Sequence, residues 1–102
     1  LQGRLKSCHA LEIPFVFDNI EYGGNFTGNR PECPAIAEKM SEAWLAFARD
    51  GVPAYRDLPA WPAYTFDERA TMIFNEECRV ENDPYSELRR VWNRVPTLIS
   101  GA

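Results

Sequence analysis

Between Pro34 and Asp50, apolar residues recur every three or four positions, which is the period of one face of an α-helix. The apolar positions of this repeat are Ile36, Met40, Trp44 and Phe47. Pro34 suits the first turn of a helix, and Gly51 is typical of the position after the last turn. We therefore predict a helix over residues 34–50 whose four apolar residues share one buried face, with Glu38 and Glu42 in solvent.

Two stretches beside this helix are predicted to be irregular. Residues 23–34 are rich in Gly, Asn and Pro, which favour turns and positive φ angles. Residues 51–64 contain three prolines, so they cannot form a regular helix and are predicted to be an extended connector. The sequence Pro59-Ala60-Trp61-Pro62 has the spacing of a proline-rich ligand, but it lacks basic flanks and Trp61 favours burial. A packed connector is therefore the preferred interpretation.

Two shorter elements are predicted in the last third of the chain. The stretch Ala70–Phe74 is apolar and bounded by charged residues, as is typical of a short strand. A final helix is expected to start near Asp83-Pro84, with a cap followed by a first-turn proline, and to end before Pro96. Its apolar residues are Leu88, Val91 and Trp92. The chain should therefore be mostly α-helix and loop, with one or two short strands.

Composition and charge exclude several kinds of partner. The chain has 102 residues, 45% of them hydrophobic, which suits a single folded unit. Its net charge of −4 gives no attraction for nucleic acid or for an anionic membrane surface. The basic group Arg89, Arg90 and Arg94 is explained by the helix dipole at the end of the final helix. No apolar stretch approaches the ~20 residues that cross a bilayer, so neither nucleic acid nor membrane is an expected partner.

The cysteines and serines indicate no site of their own. The three cysteines, Cys8, Cys33 and Cys78, are odd in number and lack CxxC spacing, which argues against a disulfide scaffold and for a reducing compartment. Together with His9 they match no zinc motif, so no metal is expected. In an extended segment, Cys8 and His9 would point to opposite faces, which argues against a thiolate and imidazole pair. The candidate nucleophiles all lack a nucleophile-elbow context: Ser7, Ser41, Ser86 and Ser100.

His9 is the only histidine in the chain. An imidazole titrates near neutrality, so it can both take and return a proton at physiological pH. It lies in the sequence Cys8-His9-Ala10-Leu11-Glu12-Ile13-Pro14-Phe15-Val16-Phe17. This stretch resembles the catalytic-histidine segment of the type B carboxylesterases, the esterase and cholinesterase branch of the α/β hydrolases.

The resemblance extends along most of the chain, from about Cys8 to Trp92. Residues 44–53 are similar to the family pattern Trp-x-x-Phe-Ala-x-x-Gly-x-Pro, and residues 61–74 are similar to its Trp-Pro-x-Tyr and Arg-x-Thr-Met-x-Phe segments. Residues 81–84 and the arginine-rich final helix resemble bacterial members. Two departures are visible: Ala10 stands where Gly is commoner, and Asp18-Asn19 replaces the usual Gly.

The resemblance implies a fold and a role for His9. The parent protein would be an α/β hydrolase, a mixed sheet between helices, and residues 1–102 would be an incomplete C-terminal segment of its catalytic domain. In this fold the triad occurs in the order Ser, acid, His, so a C-terminal segment would hold the histidine alone. The absence of any Gly-x-Ser-x-Gly elbow from the sequence agrees with this. His9 would be the general base and acid for a serine outside this chain.

Other features are implied by the same resemblance. Glu12 would not be the triad acid, which lies upstream in the family, but a buried or half-buried hydrogen-bonding group that supports the turn after His9. No cofactor is expected. The isolated chain should be inactive, and the full-length enzyme would hydrolyse a small carboxylic ester in the cytoplasm of a bacterium, with secretion left open.

The expected partners are the remainder of the hydrolase domain and, through exposed apolar surface, other copies of the chain. Five residues would pack against elements absent from this chain: Phe15, Val16, Phe17, Trp61 and Phe74. Two alternatives remain open at this point. One is a non-catalytic interaction domain of the same superfamily, which kept the fold and lost the triad. The other is an autonomous small helical domain.

Overall fold

The computed structural model describes residues 4–96, and Ser100 lies outside them. It contains three helices, α1 (Ile13–Val16), α2 (Cys33–Asp50) and α3 (Ser86–Trp92), and two strands, β1 (Ala70–Ile73) and β2 (Arg79–Asn82). Two short 3-10 turns, Ile20–Tyr22 and Gly24–Phe26, lie between α1 and α2. The predicted architecture of helix and loop with short strands is confirmed. Within the described residues, no helix has the length and apolarity needed to cross a membrane.

Helix α2 confirms the helix predicted over residues 34–50 and begins one residue earlier. Pro34 lies in its first turn, where the missing N–H costs no hydrogen bond. Gly51 ends the helix with φ 75°, and its N–H donates to the carbonyl of Phe47 at 2.8 Å. This left-handed ending is easily adopted by glycine because it has no Cβ.

The core lies where α1 packs against the N-terminal half of α2. Phe15 of α1 forms a buried cluster with Cys33, Ala37 and Met40 of α2. Several partly buried apolar residues pack around this cluster: Leu11, Val16, Ile20, Ile36 and Phe74. Phe15 was expected to need absent elements for its burial, but it is 9% exposed and α2 is sufficient to cover it.

The C-terminal half of α2 does not have the burial that its periodicity predicts. Met40 is buried and Ile36 is half-buried, but Trp44 is 46% exposed and Phe47 is 59% exposed, so the single buried face is wrong for these two residues. The four residues do share one side of a 3.6-residue helix. Because α1 is only four residues long, it covers the first half of that side alone. Glu38 and Glu42 are exposed, as predicted.

The stretch over residues 51–64 contains no helix or strand, as predicted, and it packs against the rest of the protein. Trp61 is half-buried, and its ring lies edge-on to Phe74 with centroids 5.9 Å apart. The Tyr55 hydroxyl donates a hydrogen bond to the Glu38 carboxylate of α2. That carboxylate raises the pKa of Tyr55, because it accepts a bond from the protonated hydroxyl. The packed-connector interpretation is confirmed.

The predicted strand at Ala70–Phe74 is confirmed as β1, which pairs antiparallel with β2. Ala70 and Met72 are buried and alternate with half-buried neighbours, which is the period of a strand with one covered face. The bounds of β2 are not predicted from the sequence. Its sequence Arg79-Val80-Glu81-Asn82 lacks apolar alternation, and only the pairing with β1 makes it a strand.

The final helix is confirmed over Ser86–Trp92, but its predicted cap is wrong. The N-cap position is held by Tyr85, with φ 58° and no side-chain capping bond. The carboxylate of Asp83 instead accepts hydrogen bonds from Arg89. Asp83 also has a left-handed backbone, with φ 46°, and it lies two residues before the N-cap position.

Candidate active-site segment

His9 lies in a tight turn between residue 4 and α1, and its side chain is exposed. The N–H of Leu11 donates to the carbonyl of Cys8 at 3.3 Å and closes the turn around His9 and Ala10. The expectation that Cys8 and His9 lie in an extended segment is therefore wrong. The turn presents the imidazole to solvent, where a group from another chain segment can reach it.

Two residues near His9 have left-handed backbone conformations. Ala10 has φ 66° and Lys6 has φ 46°. A side chain with a Cβ adopts this region at a cost, and the cost is absent for glycine. This explains physically why Gly is commoner than Ala after the histidine in the family that the sequence resembles. The sequence gives no comparable indication for Lys6.

Glu12 supports the turn through its backbone and not through its side chain. Its carbonyl accepts hydrogen bonds from the N–H groups of Phe15 at 3.0 Å and Val16 at 2.9 Å, which begin α1. Its side chain is exposed and makes no capping hydrogen bond. The supporting role expected of its carboxylate concerns the full-length enzyme and stays a prediction. The residues that surround the turn leave the Glu12 side chain on the surface.

An apolar cleft of about 430 Å³ lies directly beside the turn. Its walls come from the turn, from α1, from α2 and from the end of the hairpin: Ser7, Cys8, Leu11, Glu12, Phe15, Ile36, Met40, Phe74 and Asn75. Cys8 and Glu12, which flank His9, are both among these residues. His9 itself does not line the cleft, but it follows Cys8, which does, and Phe15 and Met40 of the core cluster form another part of the lining. The histidine and several core residues can be identified from the sequence, whereas the cleft is formed only when the turn, α1, α2 and the hairpin come together.

The other candidate nucleophiles and ligands are dispersed. Cys33 and Cys78 are buried thiols that donate weak hydrogen bonds to the carbonyls of Thr27 and Asn75. The Ser41 hydroxyl is buried and donates to the carbonyl of Glu38 at 3.1 Å. Over residues 4–96 there is no group of three or more side chains that could hold a metal ion.

Comparison with known proteins gives the family. Residues 3–92 match the model of the carboxylesterase family. The chain is 37% identical over 87 residues to the para-nitrobenzyl esterase of Bacillus subtilis strain 168, a match that covers 83% of this chain and 18% of that protein. It is 34% identical over 79 residues to phenmedipham hydrolase of Pseudarthrobacter oxydans, covering 74% of this chain and 16% of that protein.

Solved structures agree with the sequence comparison. A carboxylesterase of Geobacillus stearothermophilus superposes with a TM-score of 0.72 and 52% identity, covering 86% of this chain and 19% of that chain. A para-nitrobenzyl esterase superposes with a TM-score of 0.75 and 37% identity, covering 83% of this chain and 18% of that chain. The chain thus spans less than one fifth of the length of the relatives it matches. It belongs to the carboxylesterase family, as a segment of a bacterial type B carboxylesterase with the α/β-hydrolase fold.

Proposed function

We propose that this chain supplies the triad histidine of a serine carboxylesterase. In the full-length enzyme His9 takes the proton of a serine hydroxyl as that oxygen attacks the ester carbonyl, and it returns the proton to the leaving alcohol. It then takes a proton from the water that attacks the acyl-serine and delivers it to the departing serine oxygen, which restores the serine hydroxyl and releases the carboxylic acid. The observation that supports this role is the exposure of His9, the sole histidine, on a tight turn whose residues Cys8 and Leu11 line an apolar cleft.

The isolated chain is inactive because the serine and the acid of the triad lie outside it. An imidazole needs an acid to orient it and a serine to act on, and oxyanion donors stabilise the charge that develops in the transition state. The chain has no nucleophile elbow, and Glu12, three residues after the histidine, is not the triad acid, which lies upstream of the histidine in the family that the sequence resembles. His9 therefore contributes to catalysis only when the rest of the hydrolase domain is present.

The partner of this chain is the remainder of the hydrolase domain. Large apolar side chains stand in solvent on several sides of the described structure: Phe17, Trp44, Phe47, Leu88, Val91 and Trp92. Burial of such surface is the main favourable term in association between protein segments. The free thiols of Cys8, Cys33 and Cys78 support a reducing location, the cytoplasm of a bacterium.

The substitution His9→Gln in the full-length esterase tests the proposal. We expect kcat for a simple activated carboxylic ester to fall by about 10²–10⁴-fold, which is the usual contribution of a general acid and base. The control is Glu77→Gln, an exposed side chain in the hairpin loop, which should leave kcat unchanged. If the His9→Gln enzyme kept full activity, His9 would not be the general base, and another residue would have that role. A full-length protein without esterase activity on any ester would favour the non-catalytic interaction domain.

A further inference from the structure

The turn that carries His9 has an unusual backbone. The hydrogen bond from Leu11 to the carbonyl of Cys8 spans four residues, with His9 second and Ala10 third. Ala10, in the third position, has φ 66°. A positive φ at this position is the feature of type II turns, which normally place Gly or Asn there. Ala10 therefore occupies a position that its side chain disfavours.

The side chain of Ala10 offers nothing to offset this conformation. Asn and Asp tolerate the left-handed region because their polar side chains bond locally, as alanine cannot. Three other left-handed residues of the described chain belong to this tolerant type: Asp18, Asn29 and Asp83. The conformation of Ala10 must therefore be imposed by its surroundings.

The surroundings anchor the turn on both sides. The carbonyl of Ala10 accepts the N–H of Ile13 at 3.2 Å, and this bond joins the turn to α1. Leu11 packs against the core cluster that contains Phe15 and Met40. The backbone after His9 is thus fixed relative to α2, and the left-handed residue determines how the chain enters α1.

We propose that Ala10 is a positioning residue whose left-handed backbone aims the imidazole of His9. This inference rests on the proposed role of His9. If residue 10 left the left-handed region, the peptide unit between positions 9 and 10 would reorient and the Cα–Cβ bond of His9 would point elsewhere. The imidazole would then meet the serine and the leaving alcohol in the wrong geometry. Misplacement by about 1 Å at a catalytic group costs about 100-fold in rate.

A series of substitutions at position 10 in the full-length esterase separates backbone conformation from side-chain size. The series consists of Ala10→Gly, Ala10→Asn, Ala10→Ser and Ala10→Val. Val is β-branched and is an outlier in the left-handed region, whereas Asn is enriched there. We expect kcat of the Ala10→Val enzyme to fall by about 100-fold with KM little changed, and the Gly and Asn variants to keep much higher kcat.

The controls distinguish positioning from general stability. The substitution Ala48→Val, at an exposed position in α2, should leave kcat unchanged. Thermal unfolding of each variant shows whether it is folded at the assay temperature, and a purely structural role would move the unfolding midpoint and leave kcat of the folded enzyme unaltered. Where the Ala10→Val enzyme does not fold, the comparison of Asn with the smaller Ser applies. If the backbone positions His9, the Ala10→Asn enzyme should have a higher kcat than the Ala10→Ser enzyme. If side-chain crowding is the cause, the Ala10→Ser enzyme should have the higher kcat.

Two outcomes would overturn the inference. One is a kcat that follows side-chain size, with the Asn and Val variants falling together. The other is a kcat that does not depend on residue 10 in enzymes that are folded. Failure of the proposed function gives a different result, because the His9→Gln enzyme would then remain active. If the His9→Gln enzyme is inactive but kcat does not change with the residue at position 10, the positioning role of Ala10 is rejected and the catalytic role of His9 is retained.

Discussion

The carboxylate of Asp83 accepts two hydrogen bonds from the guanidinium of Arg89, at 2.8 and 2.7 Å. The pair joins the end of β2 to the first turns of α3, and both side chains are shielded from full solvent. The backbone N–H of Asp83 also donates to the carbonyl of Arg69 at 3.2 Å. A bidentate pair of this kind fixes orientation as well as contributing energy. It anchors α3, whose predicted N-cap is absent, to the hairpin.

This pair should make stability depend on pH. The hydrogen bonds from Arg89 hold the pKa of Asp83 below its ordinary value. A lowered pKa in the folded state contributes stability above the unfolded pKa of about 3.9, and that contribution is lost as the pH falls through the folded pKa. We expect Asp83→Asn to destabilise the protein at neutral pH and to weaken the loss of stability below about pH 4. Urea unfolding at several pH values measures this. Asp67→Asn, at an exposed side chain, is the control.

Met40 and Trp44 lie on the same side of α2 but should differ in their contribution to the free energy of unfolding. Met40 is 7% exposed, so Met40→Ala should cost about 2–5 kcal/mol in the free energy of unfolding. Trp44 is 46% exposed, so Trp44→Ala should cost less than the about 3–5 kcal/mol of a core tryptophan. Urea denaturation of the isolated chain measures both. In the full-length enzyme, Trp44→Ala should lower the free energy of unfolding by more than it does in the isolated chain if the rest of the domain covers Trp44. An equal loss in the isolated chain and in the full-length enzyme would show that Trp44 is not covered.

The left-handed ending of α2 gives a prediction at Gly51. Its φ of 75° is unfavourable for alanine, although a Cβ there would meet no neighbouring atom. We expect Gly51→Ala to destabilise the protein by about 1–2 kcal/mol. Gly51→Asn should cost less, because Asn tolerates this conformation. Thermal unfolding of the two variants is the measurement, and a loss for Gly51→Asn equal to or greater than that for Gly51→Ala would contradict this account.

The isolated chain should associate with itself. Phe17 is 72% exposed and Trp92 is 65% exposed, in addition to the exposed aromatic residues of α2. Exposed apolar surface of this kind favours association. We expect the sedimentation coefficient to rise with concentration and the substitution Phe47→Glu to reduce the effect. A monomer at all concentrations, with sharp unfolding and no binding of a hydrophobic dye, would instead support an autonomous domain.

The isolated chain should also fail to hydrolyse an activated ester faster than free imidazole does. It lacks the nucleophile elbow that the proposed mechanism needs. Release of the alcohol product under single-turnover and steady-state conditions provides the measurement. Saturable turnover that disappears in His9→Ala, with an acyl group trapped on a residue of this chain, would show that these residues form a complete active site.

The sequence alone was sufficient for the elements that depend on local order. The spacing of apolar residues, Pro34 and Gly51 predict α2, because these features act within a few residues of one another. The same holds for β1 and for the connector, in which the prolines exclude a helix. The family could be identified because several short patterns occur in the right order, and that identification singled out His9.

Only the tertiary structure decided which surfaces are covered and how the turn at His9 is built. Periodicity places Trp44 and Met40 on the same side of α2. Only Met40 is covered by α1, because α1 is short, and the length of α1 cannot be read from the α2 sequence. The strand β2 exists because β1 lies next to it, and the bond between Asp83 and Arg89 depends on where α3 lies relative to the hairpin. The left-handed conformation of Ala10 is likewise seen only in the folded turn. Sequence patterns report the preference of each segment, whereas burial and backbone strain are properties of the assembled chain.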